Sequence, residues 1–244
     1  MLKTYFIANW KLNHNLNSTN EYIKILKDYQ NPNAKLVICP PYPLINLFTN
    51  ANLANINYGS QNIAAEESGA FTGEVSSELL KDLGCQYAII GHSERRQIFA
   101  ENNLFVARKL AIAFKHSITP ILCVGETLQE RESGNYKAII LDQINSVLKD
   151  LTITSPLIIA YEPVWAIGTG LIPENNQIEE IFNLILDSLS SLNIALDQIK
   201  ILYGGSANVK NLANLLEIPN MSGFLIGSAS LDAKNLIKMA DFVR

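Results

Sequence analysis

The chain has 244 residues, 48% of them hydrophobic, and a formal net charge of −4. That is enough apolar material for a large core, built either as two small domains or as one α/β domain of barrel size. Acidic and basic residues are interspersed without a basic block, which argues against a nucleic-acid or anionic-membrane partner. Three widely spaced cysteines, Cys39, Cys85 and Cys123, form no Cys-x-x-Cys pair. They point to reduced thiols in a cytoplasmic protein, with no disulfide framework and no zinc site. The N-terminal residues lack the apolar region and cleavage site of a signal peptide, and no apolar run approaches the roughly 20 residues that span a bilayer. A soluble protein with no membrane partner is expected.

Short apolar runs recur about every thirty residues, at 5–9, 36–39, 54–58, 87–91, 118–124, 157–161, 199–203 and 223–227. Helical spacing fills several of the intervals. Tyr22, Ile23, Leu26 and Tyr29 make one face, and Phe105, Leu110, Ile112 and Phe114 another. Ile139, Ile140, Ile144, Val147 and Leu148 follow, then Ile178, Ile181, Phe182, Ile185, Leu186 and Leu189. Leu231, Leu236, Ile237 and Met239 close the chain. Eight strands alternating with helices call for a parallel sheet with right-handed crossovers. Eight such units in about 250 residues fit a closed (β/α)₈ barrel. An open doubly wound sheet is the alternative, but its Gly-x-Gly-x-x-Gly turn is missing after the first strand. With no linker or composition shift, residues 1–244 read as a single domain.

In such a barrel, chemistry belongs at the C-terminal ends of the strands. The first strand ends in Asn9-Trp10-Lys11, placing a lysine where it can neutralise an anion; a solvated surface lysine is the commoner outcome. The fourth ends in Gly91-His92-Ser93-Glu94-Arg95-Arg96. There Ser93 is expected to cap a helical turn, and a histidine beside that helix N-terminus has its cationic form disfavoured. The sixth ends at Glu162, followed by the apolar, glycine-closed stretch Pro163-Val164-Trp165-Ala166-Ile167-Gly168-Thr169-Gly170. A lid over a shielded carboxylate would raise its pKa toward that of a useful base; an ordinary loop beside a surface Glu is the bland alternative. Tyr203-Gly204-Gly205-Ser206 and Gly227-Ser228-Ala229 end the last two strands. Small-residue turns there expose backbone N–H groups suited to a phosphate dianion. The loop Ser68–Glu74 carries an exposed-looking Phe71 and reads as a subunit contact or a mobile surface loop.

Together these stretches, with Gly69-Ala70-Phe71-Thr72-Gly73-Glu74, Cys123-Val124-Gly125-Glu126 and 224–231, closely resemble the triosephosphate isomerase family across almost the whole chain. Tyr161-Glu162-Pro163-Val164-Trp165-Ala166-Ile167-Gly168-Thr169-Gly170 is a highly specific signature of it. The resemblance implies a TIM barrel that interconverts dihydroxyacetone phosphate and D-glyceraldehyde 3-phosphate, with no metal and no organic cofactor. It implies Glu162 as the base, His92 as a neutral electrophile, Lys11 as the fixed positive charge and Asn9 as a donor to a substrate oxygen. Main-chain groups at Gly168, Ser206, Gly227 and Ser228 would grip the phosphate, with Gly205 shaping the turn. Trp165 would anchor the lid on Tyr161 and Glu126, and Cys123 and Glu94 would support the site. The family is a homodimer, so Thr72 would insert beside the partner's Asn9–Lys11 region.

The chain departs from the family pattern twice. Gly227-Ser228 stands where Gly-Gly is usual, which puts a Cβ where unusual dihedrals are expected. The lid ends in Leu171-Ile172-Pro173 where Lys-Thr-Ala is frequent, and Pro173 should confine hinge motion to fewer bonds. Among other phosphate-binding barrels, a Schiff-base aldolase needs a lysine on an inner strand in apolar surroundings, and Lys11 is the sole strand-end candidate. A metal-dependent epimerase needs paired histidine and carboxylate ligands, which three scattered histidines do not supply. A binding protein without activity would be expected to have lost Lys11, His92 or Glu162.

Overall fold

The computed structural model describes residues 3–244; Met1 and Leu2, where the reading of the N-terminus and of the 1–244 domain begins, lie outside it. The first half runs β1 (Thr4–Asn9), α1 (Leu16–Leu26), β2 (Ala34–Cys39), α2 (Tyr42–Ala51), β3 (Ile56–Ser60), α3 (Ser77–Asp82), β4 (Tyr87–Ile90), α4 (Ser93–Ile98) and α5 (Asn103–Lys115). The second runs β5 (Thr119–Val124), α6 (Leu128–Glu132), α7 (Tyr136–Leu148), β6 (Leu157–Tyr161), α8 (Asn175–Ser191), β7 (Ile199–Tyr203), α9 (Leu212–Leu216), β8 (Met221–Ile226) and α10 (Ala233–Ala240). Each strand pairs in parallel with the next, and β8 pairs with β1 to close the barrel. Closure leaves no sheet edge exposed.

Because a strand turns alternate residues to opposite faces, each strand contributes to two cores. Ile7, Val37, Ile89, Ile121, Cys123, Ile158, Ala160, Leu202 and Leu225 fill the barrel interior. Their neighbours Phe6, Ala8, Leu36, Ile38, Ala88, Ile90, Leu122, Ile159, Tyr203 and Phe224 pack outward against the helices. The same alternation positions the site. The inward position beyond Ile7 is Asn9, beyond Ile158 and Ala160 it is Glu162, beyond Leu202 it is Gly204, and beyond Leu225 it is Gly227. The residues expected at strand ends therefore converge on one barrel mouth.

Some expectations need correction. β3 lies two residues later than 54–58, because Ala54 and Asn55 sit in the preceding turn while Gly59 and Ser60 are buried in the sheet. Helices α2, α3 and α6 lie outside the stretches with helical spacing; α2 opens on Pro41-Tyr42-Pro43, and proline is tolerated in a first turn. In α5 the buried face is Val106, Lys109, Leu110, Ala113 and Phe114, so Phe105 and Ile112 flank it. Lys109 is wholly buried there because its Nζ meets Glu101 Oε1 at 2.5 Å and Asn62 Oδ1 at 2.7 Å. Arg95 Nε meets the same Glu101 oxygen at 2.5 Å, which ties α4 to the segment that follows it. Removing one member of such a buried set costs about 3–5 kcal/mol.

Candidate active site

A cleft of about 450 Å³ opens at the C-terminal end of the barrel. It gathers Asn9, Lys11, His92, Glu162, Gly168, Gly205, Ser206, Gly227 and Ser228, drawn from five segments of the chain. Lys11 is the one lysine or arginine among its lining residues. It holds φ at +52°, a left-handed conformation that costs a non-glycine residue about 1–3 kcal/mol. Its peptide is fastened on both sides to hold that shape. Lys11 N donates to Asn9 Oδ1 at 3.1 Å, and Gln61 Nε2 donates to the Lys11 carbonyl at 2.9 Å. With its oxygen so used, Asn9 keeps its amide N–H groups for the cleft. Lys11 Nζ pairs with Glu94 Oε1 at 2.5 Å, which brings Glu94 to the rim.

His92, not Ser93, caps α4. Its Nδ1 accepts the Glu94 N–H at 3.2 Å, so the proton of the neutral ring sits on Nε2. Nε2 lies 3.0 Å from Glu162 Oε1, while Ser93 uses its N–H to donate to Glu162 Oε2 at 3.0 Å. Both side chains are buried. Burial disfavours the charged form of Glu162, but the His92 ring, the Ser93 N–H and Lys11 together outweigh it and hold the carboxyl below its ordinary value. Burial likewise opposes a charged His92, and the adjacent Glu162 carboxylate outweighs it and raises the ring. Both directions correct the sequence reading, which registers a shielded carboxylate and a helix N-terminus but not their contact with each other. The Nδ1 contact leaves Nε2 as the ring's donor. Most of the upward pull on the ring comes from Glu162 and goes when that carboxylate moves away, leaving the smaller pull of Glu94.

Across the cleft the turns after β7 and β8 are built from small residues. A Cβ at Gly204 would stand 2.9 Å from Glu162 Cγ, so the close approach of this turn to the carboxylate needs glycine. Ser206 Oγ donates to the Ala166 carbonyl at 2.6 Å and so links the turn to the lid. Ser228 opens a 3₁₀ turn, Ser228–Ser230, with neither Gly227 nor Ser228 in the left-handed region. The Cβ of Ser228 therefore meets no backbone strain, contrary to expectation.

The lid residues stand over this wall. Val164–Ala166 form a 3₁₀ turn, Gly168 and Gly170 line the cleft, and Pro173 is buried beneath exposed Leu171 and Ile172. Trp165 Nε1 donates to Glu126 Oε1 at 2.9 Å, and Tyr161 OH donates to the same oxygen at 3.1 Å. Burial raises the Glu126 carboxyl, against those two donors and Arg131. Cys123 lies in the barrel core beside Glu162, and burial together with that carboxylate pushes its thiol far up, keeping it inert. Thr72 is not part of the cleft and sits on the exposed loop after β3.

Known proteins are similar to this chain in sequence over nearly its whole length. Residues 4–243 match the family model described as triosephosphate isomerase. The chain belongs to the triosephosphate isomerase family. The triosephosphate isomerase of Natranaerobius thermophilus is 40% identical over 249 residues, covering 100% of this chain and 97% of that protein. The one from Endomicrobium trichonymphae is 39% identical, with 99% of each chain covered. The one from Vesicomyosocius okutanii is 38% identical, with 98% of each covered. Two residues that fasten the triosephosphate isomerase site escaped the sequence reading. Gln61 and Gln143 are glutamines in unremarkable contexts, and only their contacts with Lys11 and Gly125 reveal them.

Proposed function

We propose that the cleft interconverts dihydroxyacetone phosphate and D-glyceraldehyde 3-phosphate, a step of glycolysis and gluconeogenesis, by proton transfer through an enediolate. The observation that carries the residue roles is the buried contact between Glu162 Oε1 and His92 Nε2, 3.0 Å apart, beside Lys11 and opposite the two small-residue turns. Glu162 turns from Ser93 and His92 to take a proton from the carbon next to the substrate carbonyl, and then protonates the former carbonyl carbon to complete the isomerisation. His92, freed of the carboxylate, donates its Nε2 proton to the developing oxyanion and passes protons between the two oxygens. Lys11 offsets the added charge, and Asn9 donates to a substrate oxygen. Main-chain N–H groups at Gly168, Ser206, Gly227 and Ser228 hold the phosphate. The lid keeps water from the enediolate, which would otherwise expel phosphate. The chemistry requires no metal or organic cofactor.

The site is completed in a homodimer. Leu12 is 96% exposed, Leu104 72% and Ile98 71%, and such apolar surface suits burial against a second copy. Thr72 would then enter beside the Asn9–Lys11 segment of that copy. The enzyme works in the cytoplasm, on a small-molecule partner rather than nucleic acid or membrane. No helix among the described residues is long and apolar enough to cross a membrane.

The pH profile tests the carboxylate's role. In the free enzyme Glu162 is held below its ordinary value of 4.5. Because the base must be ionised, kcat/KM should persist to below that pH once the substrate phosphate's own titration near pH ~6 is divided out. In the complex Glu162 has left Ser93 and His92, so burial dominates and the acid limb of kcat should move to higher pH. Coincident limbs, or a kcat/KM limb above 4.5, would rule out the proposed exchange of partners.

A further inference from the structure

We propose that Gln143, on α7, is a positioning residue that holds the floor beneath the catalytic carboxylate. The proposal rests on Glu162 acting as the base. Gly125 lies directly under Glu162: a Cβ there would overlap the Glu162 carbonyl, with its carbon only 2.6 Å away. On either side of Gly125 the chain supports the base and the start of the lid. Glu162 N donates to the Val124 carbonyl at 2.7 Å, and Val164 N donates to the Glu126 carbonyl at 3.0 Å. Gly125's own groups point the other way, into the side chain of Gln143. Gly125 N donates to Gln143 Oε1 at 2.8 Å, and Gln143 Nε2 donates to the Gly125 carbonyl at 3.0 Å.

One primary amide thus occupies the amide and the carbonyl of Gly125, as a neighbouring strand would. Val124 and Glu126 are buried, while Gly125 between them is only half-buried. A cavity of about 160 Å³ lies beside it, lined by Arg96, Cys123, Thr127, Gln143 and Glu162 among others. On that side the two directed hydrogen bonds to Gln143 hold Gly125. The same segment carries Glu126, on which Trp165 and Tyr161 are anchored. Gln143 therefore sets the height of the base and of the lid anchor together, without reaching the cleft.

Gln143→Met keeps the side-chain length and removes both bonds. Displacing a reacting group by about 1 Å can cost about 100-fold in rate, so kcat should fall about 10- to 100-fold. KM and the inhibition constant of inorganic phosphate should stay within about twofold, since the phosphate turns lie across the cleft. Phosphoglycolate presents a carboxylate where the enediolate forms, and its affinity should fall while that of phosphate does not. A merely structural role would lower the melting temperature and the fraction of active protein. It would leave kcat per active site and the phosphoglycolate-to-phosphate affinity ratio unchanged, and that result overturns the proposal.

Amide exchange in the wild-type protein gives a second reading that holds even if the variant does not fold. The Gly125 N–H should exchange far more slowly than those of Gly168 and Gly170; equal rates overturn the proposal. Glu162→Gln separates the two layers. An active Glu162→Gln defeats the base assignment, whereas an inactive one beside a fully active Gln143→Met defeats the clamp alone.

Discussion

Glu162→Gln should lower kcat by about 10³- to 10⁴-fold, the upper part of the range for removing a positioned base. The substitution keeps shape and burial and removes the one group in the cleft that can accept a proton from carbon. The two donors sit on different oxygens, and glutamine replaces one of those oxygens with NH₂, so either the Ser93 N–H or the His92 Nε2–H would face another donor. Some mispositioning of His92 therefore adds to the loss of the base. The phosphate turns are built from other segments, so the inhibition constant of inorganic phosphate should stay within about twofold. Steady-state kinetics with phosphate as inhibitor checks both halves, and a loss shared equally between kcat and phosphate affinity would point to a collapsed cleft.

Lys11→Met should reduce kcat/KM by about 10²- to 10³-fold, with weaker phosphate inhibition as well. A substrate dianion and a developing enediolate enter a cleft that already holds Glu162, and Lys11 supplies its one lysine or arginine charge. Removing the ammonium also leaves the Glu94 carboxylate, now 2.5 Å from it, facing the bound anion. Adding Glu94→Gln to Lys11→Met should therefore recover part of the loss, while Glu94→Gln alone should change little. If the double variant were no better than Lys11→Met, the lysine would be acting only at a distance from Glu94 and not as its counter-charge.

Most strands were legible because they are buried on both faces and so read as largely apolar runs. Leu157–Tyr161 and Ile199–Tyr203 fall where the apolar pattern places them. β3 shifted because Gly59 and Ser60 are buried without being apolar, and α2 was hidden by prolines at its start. Strand alternation carried Asn9, Glu162 and Gly227 to one mouth, which is why residues so far apart in the chain could be assigned together. What the chain order does not carry is contact between distant groups. The apolar stretch after Glu162 leads one to expect a shielded carboxylate but not that Ser93 donates to it across 69 positions, and this contact helps to reverse the expected pKa direction. His92 took the cap from Ser93 because its Nδ1 reaches the Glu94 N–H, leaving the Ser93 N–H to the carboxylate. Lys109, Gln61 and Gln143 look like surface residues until their partners are known.

The most direct test of the account is conversion of D-glyceraldehyde 3-phosphate by the wild-type protein in D₂O with EDTA present, followed by mass and NMR analysis of the product. Abstraction of a carbon-bound proton by Glu162, with exchange at the carboxyl, predicts rapid conversion and deuterium on the carbon beside the carbonyl of dihydroxyacetone phosphate. Conversion that leaves this carbon free of solvent deuterium at every stage, or that stops when EDTA is added, would contradict it.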